Sequence, residues 1–433
     1  MASSHEPRAE TAGPEEAGLS EAEPIEPPAA PEQAPHVAVA VIDNRTDYLD
    51  AVAAITAGSG PIAIDAERAS GYRYSQRAYL IQVFRRGAGT FLFDPPAVGS
   101  FAELNDALAD EEWIIHAASQ DLSCLREVGI HPARLFDTEL AARLAGIPRV
   151  GLGTVVEELL GIHLAKEHSA ADWSTRPLPQ SWLVYAALDV ELLVDLREAL
   201  GRLLAEQNKT VIAEQEFSAT LERDFVIVRA EPWRRINGVH SVRGSRGLAV
   251  ARALWEARDS YAREIDTAPG RLVPDASLVA AAKALPATKR DLAALKEFSG
   301  RASRSQLDRW WAAIEAGLAS TDPVSLHTPG ESVPPPRVWA EKNPEADRRL
   351  KLSRAALAVA SEELAIPLEN VLTPDTLRRL AWQPPTPLTR DAIATVLESG
   401  GARPWQIDVT AQLIHEAFVE ALQEPEPAQD DAS

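Results

Sequence analysis

The chain of 433 residues is poor in cysteine, with Cys124 as its single one, and has no long apolar run. One cysteine cannot form an internal disulfide or supply a cysteine zinc site, which excludes the disulfide-rich secreted class and is typical of a reducing cytoplasm. No stretch approaches the ~18 consecutive apolar residues of a membrane span. Residues 1–36 also lack the basic start and apolar core of a secretory signal. We therefore expect a cytoplasmic protein without a membrane segment.

Positive charge is scarce as well. Lysine and arginine number 43 against 64 acidic residues, for a formal net charge of −21. Residues 1–36 carry −7 and the last ten residues −4, which leaves −10 for the rest of the chain. Nucleic-acid binding usually leaves a basic footprint, so this balance disfavours nonspecific binding to nucleic acid. It does not exclude a specific site, because carboxylates that bind metal ions also count as negative.

Composition and patterning divide the chain into seven segments. The length accommodates about three domains. Glutamate, proline and alanine dominate the first 36 residues, which predicts disorder because such a segment buries too little apolar surface. The predicted segments are a disordered acidic tail 1–36, an α/β domain 37–212, a connector 213–247, a helical domain 248–321, a proline-rich linker 322–344, a second helical domain 345–422 and an acidic tail 423–433.

Strand-like and helix-like patterns alternate in the α/β domain. Residues 61–67 begin with apolar residues and no polar break, which predicts a central strand buried on both faces. Four further strands are predicted at 79–84, 90–94, 113–116 and 135–137. The first three strands predict a meander around the turn 86–89. The later strands alternate with helices, which predicts parallel pairing in the second half of an α/β layer fold.

Two carboxylates occupy the end of the central strand. Side chains alternate across a strand, so Asp65 and Glu67 point to one face, beside Ala63. Like charges this close raise each other's pKa unless a cation lies between them. The pattern therefore indicates a metal site, with a solvated turn as the plainer alternative.

Two more acids lie in later helices. Asp121 begins the predicted helix 121–128, where a capping acid is the plainer interpretation because the helix dipole favours negative charge there. Asp189 falls within an apolar stripe of the predicted helix 181–200, where a carboxylate is costly unless it is paired or bound to a cation. Tyr185 precedes it by one turn. The stripe consists of Trp182, Tyr185, Leu188, Asp189, Leu192, Leu193 and Leu196.

The two helical segments look like diverged copies of each other. Loosely matching residues include Asp275 with Asp375 and Asp291 with Asp391, each pair one hundred positions apart. A repeat is the favoured interpretation, and chance likeness between small helix bundles is the alternative.

Three motifs, taken together, resemble the ribonuclease D family of the DEDD exonuclease superfamily, which has a ribonuclease H-like fold. They are Ile-Asp-Ala-Glu at 64–67 with Arg-Ala-Tyr-Leu-Ile-Gln at 77–82, Ile-His-Ala-Ala-Ser-Gln-Asp at 115–121, and the Tyr-x-x-x-Asp form at 185–189. The polar loop 166–178 also resembles that family. The resemblance covers 40–205 closely. Residues 248–319 resemble the HRDC domain shared by helicases and ribonuclease D, and 345–422 look like a second, more diverged copy.

The resemblance implies a metal-dependent 3′→5′ exoribonuclease. Two magnesium or manganese ions would be held by four carboxylates, those of Asp65, Glu67, Asp121 and Asp189. Tyr185 would orient the attacking water by a hydrogen bond. The reaction would be hydrolysis of the terminal phosphodiester, releasing nucleoside 5′-monophosphates.

The implied substrate is RNA with a single-stranded 3′ end, above all tRNA precursors; nothing indicates an oligomer. Candidate substrate-binding residues are His116, Arg77, Lys166 and Arg176, with Trp173 and Tyr72 as stacking platforms and Arg234, Arg235, Arg243 and Arg246 as a basic stripe beside the first helical domain. For His116 a satisfied core histidine is the alternative. For the cations it is an ordinary charged surface.

Two other functions remain open at this point. A DNA exonuclease of the same superfamily is one, since no local residue reads a 2′-hydroxyl. A noncatalytic RNA-binding scaffold is the other. The scaffold hypothesis predicts that at least one of the four motif carboxylates has been replaced, yet all four are present together with Tyr185.

Overall fold

The computed structural model describes residues 40–164, 171–223, 230–322, 324–325 and 333–423. The predicted disordered segment 1–36, Lys166 and nearly all of the acidic tail 423–433 lie outside these residues. Within them, no helix combines the length and apolar character needed to cross a membrane.

A mixed sheet forms the centre of the first domain. Its described strands are β1 (Val41–Ile42), β2 (Ser59–Arg68), β3 (Ala78–Arg86), β4 (Gly89–Phe93), β5 (Glu112–Ile115) and β6 (Arg134–Asp137), in the order β1-β4-β3-β2-β5-β6. β2, β3 and β4 pair antiparallel, whereas β1 with β4, β2 with β5 and β5 with β6 pair parallel. The predicted meander and parallel second half are confirmed. The two-residue β1 is too short for a periodic pattern, so the sequence did not predict it.

The central strand is covered on both faces, as its apolar sequence predicts. Ile62, Ala63 and Ile64 are all 0% exposed, although adjacent side chains point to opposite sides of the sheet. Tyr48, Trp113 and Leu200 belong to the same core. Nine helices are described in this domain: α1 (Arg45–Thr56), α2 (Pro95–Val98), α3 (Ala102–Ala107), α4 (Leu122–Glu127), α5 (Thr138–Leu144), α6 (Leu152–Leu160), α7 (Gln180–Glu191), α8 (Leu193–Glu206) and α9 (Thr210–Glu222).

The predicted single helix 181–200 is wrong, because α7 and α8 are separate helices with a break at Leu192. The predicted apolar face is also wrong in part: Leu188 is 41% exposed. The face that packs against β2, β3 and β4 consists of small and medium side chains, namely Leu183, Ala186, Ala187 and Val190. Small residues allow α7 to approach the sheet closely, which leaves the larger side chains at the edge of that contact.

The predicted end of the α/β domain at 212 falls inside a helix. α9 runs from Thr210 to Glu222 and packs against β6 and α5 through Phe217, whose ring lies 4.9 Å from that of Phe136. The packed α/β unit therefore extends about one helix beyond the predicted boundary.

Two helical blocks follow, each with its own core. The first contains α10 (Ser245–Glu264), α11 (Pro269–Leu272), α12 (Asp275–Ala284), α13 (Lys289–Ala294), α14 (Arg301–Ser305) and α15 (Leu307–Ala319). The second contains α16 (Trp339–Lys342), α17 (Pro344–Leu364), α18 (Leu368–Val371), α19 (Pro374–Trp382), α20 (Arg390–Ser399) and α21 (Pro404–Ala421). Trp310 and Phe298 are fully buried in the first block, as are Trp339 and Phe418 in the second.

Helix order supports the predicted repeat. In each block a long helix is followed by a one-turn helix and then by a helix whose first turn carries an acid, Asp275 in α12 and Asp375 in α19. Asp291 and Asp391 likewise lie in the first turns of α13 and α20, and a threonine side chain caps both helices. The common origin of the blocks stays a prediction.

The second helical block is attached to α9 by a buried ion pair. The Arg403 guanidinium donates to both carboxylate oxygens of Glu216, at 2.6 and 2.8 Å, and the Trp405 indole N–H donates to the same carboxylate at 2.8 Å. Glu216 is 6% exposed. Removing one partner of such a pair leaves an uncompensated buried charge, which costs about 3–5 kcal/mol.

We expect Arg403→Ala to lower the thermal unfolding midpoint clearly, because it leaves the Glu216 carboxylate buried without its cation. Arg379→Ala is the matched control, since this arginine is 59% exposed and pairs with Asp375 on its own helix. Its effect should be close to zero. Equal midpoints for the two variants, measured by circular dichroism, would show that the buried pair does not hold the block in place.

Candidate active site

Three carboxylates from two elements meet at the end of β2. Asp65 and Glu67 lie on one face of the strand, as the alternation predicts, and Asp189 comes from α7. Carboxylate oxygens of these three residues lie within 4.8 Å of one another. None of the three is fully exposed. The sequence places Asp189 more than 120 positions after Asp65, so the fold has brought them together.

Asp121 completes the acidic group from β5's side of the sheet. It is the N-cap residue of α4, but its side chain makes no capping hydrogen bond, so the plainer capping interpretation is not supported. Its carboxylate instead lies 3.5 Å from the Arg68 guanidinium and hydrogen-bonds with Asp65. Only 6% of the residue is exposed. Asp121 therefore belongs to the cluster at the strand end.

The four acids line one cavity of about 690 Å³. Tyr185, one turn before Asp189 on α7, lines it too, and its hydroxyl hydrogen-bonds with the Asp189 carboxylate. His116 from the end of β5 and Tyr72 from the segment between β2 and β3 also reach the wall. The cavity is thus built from the ends of neighbouring strands and one face of α7.

Burial raises the pKa of every acid in the cluster. Burial is the largest cause in each case, and the charge of neighbouring carboxylates adds to it at Glu67, Asp121 and Asp189. The pKa of Glu67 is raised to about 10 and that of Asp189 to about 8. Arg68 opposes the effect at Asp65, Glu67 and Asp121 but does not cancel it. Oxygen-rich groups with this excess of negative charge fit a hard divalent cation.

Comparisons with known sequences bear on the site and the flanking blocks. A family described as 3′-5′ exonuclease matches residues 39–205, one described as HRDC domain matches 247–314, and one described as 3′ to 5′ exonuclease C-terminal domain matches 332–418. Ribonuclease D of Gluconacetobacter diazotrophicus is 30% identical over 292 residues, covering 65% of this chain and 71% of that protein.

Solved structures agree with that assignment. A protein from Bifidobacterium adolescentis has a TM-score of 0.81 and 37% identity, covering 88% of this chain and 97% of its own. Escherichia coli RNase D has a TM-score of 0.64 and 26% identity, covering 88% of this chain and 99% of its own. The chain belongs to the ribonuclease D family. It is a nuclease hydrolase of the 3′→5′ exonuclease class, which acts on nucleic acid and depends on divalent metal.

The second helical block, predicted as HRDC-like, is the part of this chain that matches a separate C-terminal family. Its helix order still parallels that of the HRDC block. Its HRDC-like character therefore stays a prediction.

Asp137, at the end of β6, is a positioning residue that the sequence analysis missed. Its carboxylate accepts hydrogen bonds from the backbone N–H groups of Ala117 and Ala118, at 3.1 and 2.9 Å, and from Glu139 and Leu140 at the start of α5. Ala117 has φ of 59°, a conformation that costs free energy for a residue with a side chain. Asp137 thereby holds the turn that delivers Asp121. The signal was an aspartate directly before a helix, which is an ordinary cap.

His116 shows features of both interpretations. It lines the cavity, yet its Nδ1 lies 2.9 Å from the Thr138 hydroxyl. Burial lowers the pKa of His116 to about 4, so the ring is neutral at physiological pH. A contact between His116 and the substrate stays a prediction.

Two of the arginines predicted to contact the substrate have partners within the protein, and their contact with the substrate stays a prediction. The Arg176 guanidinium makes four hydrogen bonds within the protein. It donates to Asp94 at 2.5 Å, to the Tyr79 carbonyl at 2.8 Å and to two carbonyls of its own loop. Arg77 pairs with Asp266 at 3.6 Å and lies over the Tyr79 ring. Neither is among the described residues that line the cavity. Both arginines hold segments together, and Lys166 lies outside the described residues.

The stacking candidates separate clearly. Trp173 is 0% exposed and packs edge-on against Trp182, with ring centroids 5.2 Å apart, so the predicted stacking of RNA on Trp173 is wrong. The Trp173 ring packs into the hydrophobic core with Tyr79 and Leu80. Tyr72, by contrast, lines the cavity.

The predicted basic stripe keeps three exposed members. Arg235, Arg243 and Arg246 are exposed, whereas Arg234 donates to Glu231 at 2.7 Å and to the Ser325 carbonyl. For Arg234 the plainer interpretation, pairing with a nearby acid, is the correct one.

We expect metal binding to release protons at neutral pH. Because their pKa values are raised, these acids keep their protons in the metal-free folded protein at a pH where the unfolded chain has lost them. The free energy of unfolding of the metal-free protein therefore decreases as pH rises through about 8, the pKa of Asp189. A cation must displace these protons, and its affinity should therefore rise between about pH 6 and pH 8. Calorimetric titration with Mn²⁺ in buffers of different ionisation enthalpy measures the release. Binding without released protons would contradict the raised pKa values.

We expect Asp137→Asn to weaken Mn²⁺ binding by about 10–100-fold, because the amide nitrogen that replaces one carboxylate oxygen cannot accept the hydrogen bond from the Ala118 N–H and instead faces it as a second donor. Asp391→Asn is the control, since that acid is 91% exposed in the first turn of α20. Calorimetry gives the affinity and circular dichroism the folded fraction. Unchanged affinity in folded Asp137→Asn would remove the positioning role.

Proposed function

We propose that this member of the ribonuclease D family trims RNA from its 3′ end, hydrolysing the terminal phosphodiester to release nucleoside 5′-monophosphates. The observation that carries the proposal is the meeting of Asp65, Glu67 and Asp189 within 4.8 Å in a cavity that Tyr185 and Asp121 also line.

Asp65, Glu67, Asp121 and Asp189 would hold two divalent ions, Mg²⁺ or Mn²⁺. When bound, such ions supply Lewis-acid activation of water and charge stabilisation at the leaving oxygen. The excess of acids in the cavity supports this occupancy, because four carboxylates face one arginine among the described residues of its wall. Carboxylate oxygens suit both metals, so the donor set does not favour either.

Tyr185 would act as a hydrogen-bonding group. Burial, followed by the charge of Asp189, raises the pKa of its phenol above the ordinary value. The hydroxyl therefore stays protonated at physiological pH. It can orient a water molecule next to Asp189, but it cannot act as the base that removes the proton.

The shape of the site supports a single-stranded end as substrate. A cavity of about 690 Å³ is in the size range that encloses a small ligand, so it can take a terminal nucleotide but not a duplex. The strand would enter past Tyr72, whose ring is a platform for a base.

The names of relatives support RNA as the polymer. Escherichia coli RNase D is described as an exoribonuclease involved in structured RNA processing. We therefore propose structured RNAs with a 3′ tail, above all tRNA precursors, as the substrates of this enzyme.

We expect Asp189→Asn to abolish release of nucleoside monophosphates from a 3′-tailed RNA in Mg²⁺, because it removes a ligand shared by the cluster. Tyr185→Phe should reduce kcat by about 10²-fold, since it removes one orienting hydrogen bond. Asp195→Asn is the control: this acid is 58% exposed on α8 and pairs with Arg86. Chromatography of the products checks all three variants.

Release that is equal in Asp189→Asn and in the unsubstituted enzyme would overturn the proposed function. Release from DNA at the same rate as from a matched RNA would overturn the choice of polymer while leaving the chemistry intact.

A further inference from the structure

The wall of the catalytic cavity continues into the first helical block through residues 69–77, which we call the rim segment. Ser70, Gly71 and Tyr72 of this segment line the cavity. Its other side contacts the block: the Tyr74 hydroxyl donates to Asp259 at 3.0 Å, and the Ser75 backbone N–H donates to Asp266 at 2.8 Å. The HRDC block therefore lies directly behind one edge of the active site.

Arg271 of α11 reaches the rim segment from that block. Its Nε donates to the Gly71 carbonyl at 2.8 Å, and its guanidinium carbon lies 3.9 Å from the centre of the Tyr72 ring. Both contacted residues line the cavity. Arg271 itself is exposed. These contacts fix the guanidinium plane against the rim, which is the preorganised state that a flexible arginine normally lacks.

Two nitrogens of Arg271 remain available. Within the described ranges, its Nη1 and Nη2 have no hydrogen-bond acceptor and no carboxylate partner, while Nε is taken by Gly71. Two neighbouring arginines at the same contact are already neutralised: Arg263 pairs with Asp259 at 3.0 Å and Arg77 with Asp266 at 3.6 Å. Arg73, in the rim segment itself, donates to the Ser174 hydroxyl at 2.8 Å. Arg271 thus presents an uncompensated positive charge beside the cavity.

The cavity wall is acidic, so a cation at the rim, such as Arg271, would favour binding of a strand with negatively charged phosphates. Among the described residues of its wall, Arg68 is the one arginine or lysine, and it lies 3.5 Å from the Asp121 carboxylate. Phosphates of a strand that leaves the cavity meet acids unless a positive group lies at the rim. A guanidinium offers two parallel N–H donors to a phosphate.

We propose that Arg271 binds a backbone phosphate of the RNA strand where the strand leaves the catalytic cavity, so that the substrate site is shared between the exonuclease domain and the HRDC block. This inference rests on the proposed function and adds a specific contact to it. Tyr72, held by the stacked guanidinium, forms the adjoining platform for a base.

The test is the salt dependence of RNA binding. Each phosphate neutralised on a single strand contributes about 0.7 to the slope of log Kd against log salt concentration. We expect Arg271→Ala to lower that slope by about 0.7 and to weaken binding on the order of tenfold. Arg271→Lys should restore the slope because it restores the charge. All proteins carry Asp189→Asn to prevent hydrolysis, and fluorescence anisotropy of an unstructured oligoribonucleotide gives Kd at several KCl concentrations.

Arg263→Ala is the matched control. It removes hydrogen bonds to Tyr74 across the same contact, at 3.1 and 3.3 Å, but takes away a guanidinium that Asp259 already neutralises. Its slope should equal that of the parent. Arg271→Glu provides a second variant if Arg271→Ala does not fold, and should lower the slope further.

The outcomes separate three cases. A lower slope in Arg271→Ala, with parental slopes in Arg271→Lys and Arg263→Ala, supports the inference. A parental slope in Arg271→Ala, or an equal decrease in Arg263→Ala, overturns it, because Arg271 then only joins the two domains. Failure of the parent to bind RNA at all overturns the proposed function as well.

Discussion

Repulsion among buried carboxylates is the constraint on which the site depends. Asp65, Glu67 and Asp189 bring their oxygens within 4.8 Å of one another, and Asp121 hydrogen-bonds with Asp65. In a protein interior this arrangement opposes folding unless protons or cations offset the charge. The rest of the domain must therefore hold the acids in place against their own repulsion. The antiparallel pairing of β2 with β3 along most of its length, and the close contact of α7 with the sheet, supply that rigidity.

The sheet topology explains why acids so distant in sequence share one cavity. β5 pairs parallel with β2, so the carboxyl ends of both strands lie at the same edge of the sheet. β6 continues the parallel order and ends in Asp137, which holds the turn after β5. Three successive strand ends thus contribute a pair of acids, a turn that carries the third acid, and the support of that turn. α7 then covers this edge and contributes Asp189 and Tyr185.

The sequence predicted what depends on local pattern and on motif. The apolar run of β2, the alternation that places Asp65 and Glu67 on one face, and the three-stranded meander are all encoded within a few residues. Contacts between residues far apart in the sequence could not be predicted from local patterns. In the sequence Trp173 has the pattern of an exposed loop aromatic, but in the fold it is fully buried. Arg176 has the pattern of a free cation, but in the fold it donates a hydrogen bond to Asp94 at 2.5 Å. Asp137 was missed because its helix cap is visible in the sequence, whereas its bonds to the turn after β5 are not.

An acidic protein can act on a polyanion when its positive groups lie where the polyanion binds. Net charge adds up every acid in the chain, but a strand of RNA meets only the groups along its path. Near the cavity those groups are the carboxylates, which attract cations, and Arg271, which Tyr72 and Gly71 hold at the rim. Arg77 and Arg263 at this contact are paired with acids and add little to the local field. Selective neutralisation of this kind leaves a small positive site on a negative surface, which favours a correctly placed strand over nonspecific attraction along the protein.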